Sequence, residues 1–115
     1  MVPTFTWRGA FDNDEVNALH AEAFSTRVFS SEEWDWSRLL ERHSLGWVTA
    51  RDSDSLVGFL NVVWDGFTHA WLQDVMVAAD HRGQRIGTEM VELARSGAAQ
   101  AGCEWLGTAP RLVDS

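Results

Sequence analysis

Between residues 79 and 94 the chain reads ADHRGQRIGTEMVELA, placing Arg82, Gly83, Arg85 and Gly87 at the mouth of a helical stretch. A helix opens on backbone N–H groups that have no partner inside it and on the positive end of its dipole. A loop of small residues feeding such a helix can bring those groups against a phosphate. The segment lacks the G-x-x-x-x-G-K-[ST] of nucleotide P-loops and the G-x-G-x-x-G of dinucleotide sites, so neither of those sites is expected. The competing reading is a solvated basic turn. His81, beside Arg82, reads either as a phosphate contact or as a surface loop residue. Cys103 has no base near it in sequence and is expected to be a buried cysteine in a core strand.

The chain that carries this basic loop is otherwise acidic, with a formal charge of -8 over 115 residues. That length suits one domain, 1–115, and 45% hydrophobic residues are enough for it to fold. A general nucleic-acid binder needs a basic face, so no nucleic-acid partner is expected, and the acidity mildly favours a cationic or neutral substrate. The single cysteine rules out an intramolecular disulfide, and the four histidines show no zinc spacing, so no metal is expected. The absence of a signal peptide or long apolar run predicts a cytoplasmic protein with no membrane partner.

Several elements must position the loop. VPTFTWR, residues 2–8, reads as a strand, and Asp12 with Glu15 forms a capping box for a helix with Val16, Leu19, His20, Ala23 and Phe24 at helical spacing. A second Ser30–Glu33 capping box is expected to start a helix carrying Trp36, Leu39, Leu40 and His43 and ending near Gly46. GWVTARD and LVGFLNVVWD flank a polar DSDS turn and predict a hairpin, and HAWLQDVMVA predicts a third antiparallel strand. Both faces of the middle strand are mainly apolar, so helices should cover both. Ile86, Met90, Leu93, Ala94, Gly97, Ala98 and Ala101 stripe the next helix, Gly102 caps it, and CEWL should return parallel to the strand before it.

This order of elements, together with RGQRIGT, resembles the GNAT superfamily of N-acetyltransferases, which bind acetyl-CoA by a strand–loop–helix signature (Q/R)-x-x-G-x-(G/A). Arg82, Ile86 and Gly87 match in place, while Arg85 stands where the family usually has glycine. The resemblance implies an α/β fold of the acyl-CoA N-acyltransferase type: a mixed, mostly antiparallel sheet with helices on both faces. It implies that Arg82 and the backbone of Gly83, Gln84, Arg85, Ile86, Gly87 and Thr88 hold the CoA pyrophosphate. Val75, Met76 and Val77 would pair with the pantetheine arm. If the family's glycine needs a left-handed conformation, arginine there costs about 1–2 kcal/mol. The family usually continues past the last strand with a helix and two more strands. The expectation is therefore a C-terminally truncated or frame-altered relative, or one whose missing edge a partner chain supplies, with residues 105–115 as a loose tail and an open sheet edge suited to homodimerisation.

Acetyl transfer to an amine needs a neutral nucleophile, a polarised thioester carbonyl and a protonated leaving thiolate. By the resemblance, Asp74 is the base or a substrate-orienting acid, and the Val75 or Met76 N–H is the oxyanion donor. Many relatives use a tyrosine as general acid, and this chain has none. Phe29 and Trp34, with Arg27 and Trp36 beside them, lie where the family builds its acceptor pocket, core packing being the alternative. The expected function is acetyl transfer from acetyl-CoA to a primary amine of a small molecule or protein. The alternatives are a noncatalytic acyl-CoA-binding protein and an inactive truncated relative.

Overall fold

The computed structural model describes residues 3–108. In chain order the elements are β1 (Thr4–Trp7), α1 (Asn13–Phe24), α2 (Trp36–His43), β2 (Ser44–Asp52), β3 (Ser55–Trp64), β4 (His69–Val77), a single 3-10 turn (Ala79–His81), α3 (Ile86–Gln100) and β5 (Trp105–Thr108). The strands form one sheet in the order β1-β2-β3-β4-β5. Successive pairs through β4 are antiparallel, and β5 lies parallel to β4 with His69 opposite Trp105.

Two neighbouring residues of β3 show how the faces are covered. Phe59, fully buried, meets the edge of Trp36 from α2 at 5.8 Å, and Trp36 Nε1 donates to Asn17 Oδ1 of α1 at 2.7 Å. Gly58 points to the opposite face, where a Cβ would stand 2.9 Å from the Met90 sulfur of α3. Alternate residues of a strand face opposite ways, so α1 and α2 cover one face and α3 the other. The period-2 and period-3.6 patterns of the sequence thus produce a two-sided core. At the β1 edge Trp7 lies across Gly97 of α3, where an added Cβ would sit 2.6 Å from the ring.

Asp12 caps α1 as expected: its carboxylate accepts from Asp14 N–H at 3.1 Å, and the Glu15 carboxylate accepts from Asp12 N–H at 2.9 Å. Glu15 also receives Arg51 Nη1 at 3.1 Å, which ties the start of α1 to β2. The second capping box forms but starts no helix. Ser30 and Glu33 bond reciprocally at 3.1 and 3.2 Å around an isolated turn, and α2 begins at Trp36 under an Asp35 cap that accepts from Arg38 N–H. A capping box needs a following run of helical residues, and Asp35 interrupts this one with a better-placed cap. The helix stops at His43 because β2 begins at Ser44 with no intervening loop. Gly102, with φ at +94°, closes α3 in a left-handed turn. Cys103 is half-buried just before β5, not within a core strand, and burial raises its thiol pKa. Residues 105–108 form β5 and are not part of a loose tail; the rest of that expected tail, 109–115, lies outside the described residues.

Candidate functional site

The site builds outward from β4. Between Asn61 and Phe59, β3 advances two residues while β4 advances three, from Gln73 to Met76, so an extra residue bulges out opposite Leu60. Asp74 sits in this bulge with φ at +55°, a left-handed conformation that aspartate tolerates better than most residues. Burial pushes its carboxyl above the ordinary carboxylate range, against the opposing effects of the Gln73 amide, 3.4 Å away, and of the His20 ring on α1. A carboxylate so placed is a stronger proton acceptor than an exposed aspartate. Val75, next to it, is 39% exposed, whereas Met76 turns into the core.

β5 pairs with β4 only over His69–Leu72, so among the described residues no strand flanks Gln73–Val77 on the side away from β3. The stretch Val75–Val77 at the end of β4 runs directly into the loop before α3. There, a cavity of about 370 Å³ is lined by Val77, His81, Arg82, Gly83, Arg85, Ile86, Gly87 and Thr88. Gln84 belongs to the same loop but is not among the lining residues. No side chain caps the start of α3, which leaves its first N–H groups available to an anion. Gly83 adopts φ +81°, and Arg85, the N-cap, adopts φ +65°. The conformation that favours glycine is therefore present at the position where the chain carries arginine.

The loop is anchored to its neighbours. Ala79 N–H donates to the Glu22 carboxylate at 2.6 Å, and Arg82 Nη2 donates to the Ala23 carbonyl at 3.3 Å, both at the end of α1. His81 contacts Asp52 and Asp80 rather than standing free on the surface. These tethers set the end of α1 beside the end of β4.

One turn back on α1, His20 is buried among rings: Phe24 at 4.9 Å, Trp34 at 5.3 Å, Phe29 at 5.8 Å and Trp36 at 5.9 Å. Phe29 stacks on Trp34 at 5.2 Å, and Arg27 lies 4.5 Å over Phe29 while its guanidinium forks onto Glu33 at 2.6 and 3.1 Å. The fork and the Ser30 N–H hold the Glu33 carboxyl down to a pKa of about 2. Trp34 is 38% exposed and Trp36 fully buried, so the two tryptophans divide into a surface residue and a core residue. The structure thus gathers Asp74, His20, Phe29 and Trp34 on the α1–α2 side of β4, and Arg82 to Thr88 at its end.

Sequence reasoning missed His20, because it falls on the apolar stripe of α1 and reads as core. The useful signal was a titratable residue within that stripe. Asn61, fully buried on β3 opposite Gln73, was missed for the same reason. The His20 Nδ1 and Asn61 Nδ2 atoms are buried with no hydrogen-bond partner among the described residues.

A five-stranded mixed sheet with a bulged β4, a short parallel β5 and a crossover helix between them has the acyl-CoA N-acyltransferase fold. A model of the acetyltransferase (GNAT) family matches residues 12–112, and the chain belongs to that family. Among solved structures, it is similar to a ribosomal-protein-alanine N-acetyltransferase from Brucella melitensis biovar Abortus, with TM-score 0.75, 21% identity and coverage of 97% of this chain and 83% of that one. A GNAT family acetyltransferase from Streptococcus pneumoniae gives 0.73 at 21% identity, covering 98% and 79%. An aminoglycoside 6'-N-acetyltransferase solved with coenzyme A gives 0.68 at 24% identity, covering 79% of this chain and 51% of that one. These likenesses establish the fold. No curated protein sequence matches the chain. No helix among the described residues is long and apolar enough to cross a membrane.

Proposed function

We propose that the chain transfers an acetyl group from acetyl-CoA to a primary amine of a small molecule or a protein. The observation that carries this reading is the β4 bulge, which sets a carboxyl of raised pKa at the head of the strand segment that leads into the two-arginine cavity. The residues present fit the cosubstrate. Uncapped N–H groups at α3 and two guanidinium groups suit a pyrophosphate, and the backbone of Val75–Val77, with no strand on the side away from β3 among the described residues, suits an amide-bearing arm.

Acetyl-CoA, when bound, supplies a thioester as acyl donor. Arg82, Arg85 and the backbone of Gly83, Gln84, Ile86, Gly87 and Thr88 hold its phosphates. Val75, Met76 and Val77 align the arm, and the Val75 or Met76 N–H polarises the thioester carbonyl. Asp74 takes a proton from the acceptor ammonium, directly or through a water, leaving a neutral amine to attack the carbonyl carbon; as the C–N bond forms the thioester C–S bond breaks, and the departing CoA thiolate takes up the second proton that the new amide nitrogen sheds, through solvent. Its raised pKa improves the match to that proton. Phe29 and Trp34, packed against His20, give the acceptor an apolar wall, held in shape by the Arg27–Glu33 fork.

The test is a titration of the purified chain with acetyl-CoA, followed by tryptophan fluorescence, and then an assay of free thiol with a panel of primary amines. Saturable binding with thiol release that depends on the amine supports the enzyme. Binding without thiol release would replace it with a noncatalytic acyl-CoA binder, and a folded chain that binds nothing would overturn both.

A further inference from the structure

His81 lies in the loop wall, with its side chain 18% exposed, and both its ring nitrogens face carboxylates. Nε2 is 3.0 Å from Asp52 Oδ2 at the end of β2, and Nδ1 is 2.8 Å from Asp80 Oδ1 in the same loop. Ionised carboxylates only accept, and a neutral imidazole has a single N–H to donate. Both contacts can be hydrogen bonds at once only if the ring is an imidazolium. We propose that His81 is a positioning residue for the phosphate loop: a doubly protonated latch that joins Asp80 in the loop to Asp52 on the β2–β3 hairpin, and that loosens when the ring loses a proton and keeps only one of the two bonds. This inference rests on the reading of the cavity as the CoA phosphate site.

The loop has two other tethers, from the Glu22 carboxylate to Ala79 N–H and from Arg82 to the Ala23 carbonyl. Neither involves imidazole, the side chain whose unperturbed titration falls near neutrality. The charged groups facing the ring are Asp52 and Asp80, with Arg82 and Arg85 lining the same cavity and Glu22 close by on α1. The hydrogen bonds that the ring donates to Asp52 and then Asp80 raise the imidazolium pKa above its ordinary 6.5. The latch is therefore closed below that ordinary value and opens as pH rises through the higher folded value. Opening removes a positive charge from the cavity wall and leaves Asp52 and Asp80 without their shared counter-charge, so a bound phosphate loses attraction and a rigid cradle together.

Two-bond 15N–1H spectra of the free protein, recorded from about pH 6 to about pH 9, should show both His81 nitrogens protonated at neutrality. In CoA titrations over the same interval, affinity should fall roughly three- to tenfold in the native chain. His81→Gln should bind weakly throughout, without that pH dependence. His81→Arg keeps a permanent charge with forked donors, so it should bind well throughout. Asp52→Asn should lower the pH at which affinity is lost. A singly protonated ring at neutrality would overturn the latch, as would a His81→Gln profile parallel to that of the native chain. If CoA binds at no pH, the phosphate-site reading fails, while the spectra still decide whether His81 is an imidazolium. Amide exchange of residues 79–85, compared with His81→Arg, then decides whether it holds the loop: exchange should gain on that variant as the ring deprotonates, and parallel exchange overturns the latch.

Discussion

The two sides of β4 are built in different ways. At its C-terminal end, the cavity before α3 comes from one contiguous run, Val77 to Thr88, and its chemistry lies in backbone N–H groups and in charges that face one another. On the α1–α2 side, His20, Phe29, Trp34, Trp36 and Asp74 come from four separate segments and meet only because helices pack on the sheet. A contiguous loop keeps its form when distant packing changes. An assembled face depends on every element that supports it, and that difference can be tested by substitution.

The largest effect is expected where the assembled face has its support. Trp36 is fully buried, contacts Phe59 and Trp34, and bonds to Asn17. Trp36→Ala should cost about 3–5 kcal/mol in denaturant unfolding, the range for large aromatic truncations in a core. If the two sides are independent, CoA affinity of the folded fraction should stay within about twofold. A parallel loss of CoA binding would break the comparison. Next comes Asp74→Asn, which should slow turnover by about a hundredfold, within the usual range for general-base catalysis, and leave CoA affinity unchanged.

The Asp74 variant has a stability consequence of opposite sign. Asparagine accepts a left-handed φ as readily as aspartate, so the bulge at φ +55° is retained. Because the folded carboxyl has a pKa above its reference 3.8, the native state binds the proton more tightly than the unfolded chain. In the native protein, stability from this group is then greatest at low pH and declines as pH rises from about the unfolded value through the folded one. Asp74→Asn removes that penalty, so its melting temperature at neutral pH should equal or exceed that of the native chain. The acidic limb of kcat/KM should fall above the ordinary aspartate value. A limb at or below 3.8 in an active enzyme would sink Asp74 as the base.

The same division governs what the sequence revealed. Asp12 with Glu15, the DSDS hairpin, the α3 stripe and the parallel return of β5 all depend on neighbours within one or two turns or on a handed crossover, so pattern reasoning placed them. That Arg82, Gly83, Arg85, Ile86, Gly87 and Thr88 lie together at the start of α3 was legible for that reason as well. The bulge was not, because a strand with one extra residue keeps its β-forming composition and shows its irregularity only against the register of β3. Ser30–Glu33 misled because the local motif forms while the chain beyond it does not continue as a helix. Neither the rings around His20 nor the pairing of His81 with Asp52, 29 residues away, leaves a mark on local periodicity.

On the contiguous side the expected effects are smaller. Arg82→Ala should weaken CoA binding roughly tenfold, the scale of one charge-assisted hydrogen bond, with little change in unfolding. Unchanged affinity would remove this residue from the phosphate site. Arg85 offers the finest test because its backbone and its side chain act in opposite directions. At φ +65° an L-residue with a long side chain bears a left-handed penalty that glycine escapes, while glycine loses more chain entropy on folding. Arg85→Gly should therefore stabilise the fold by about 0.5–1 kcal/mol, read from denaturant unfolding. The same change removes a guanidinium from the cavity wall, and CoA affinity should fall by about two- to fivefold. Opposite signs in the two measurements would show that this chain carries backbone strain at the helix mouth in exchange for positive charge. A variant both more stable and tighter-binding would show that the cavity needs the loop's shape and gains nothing from that charge.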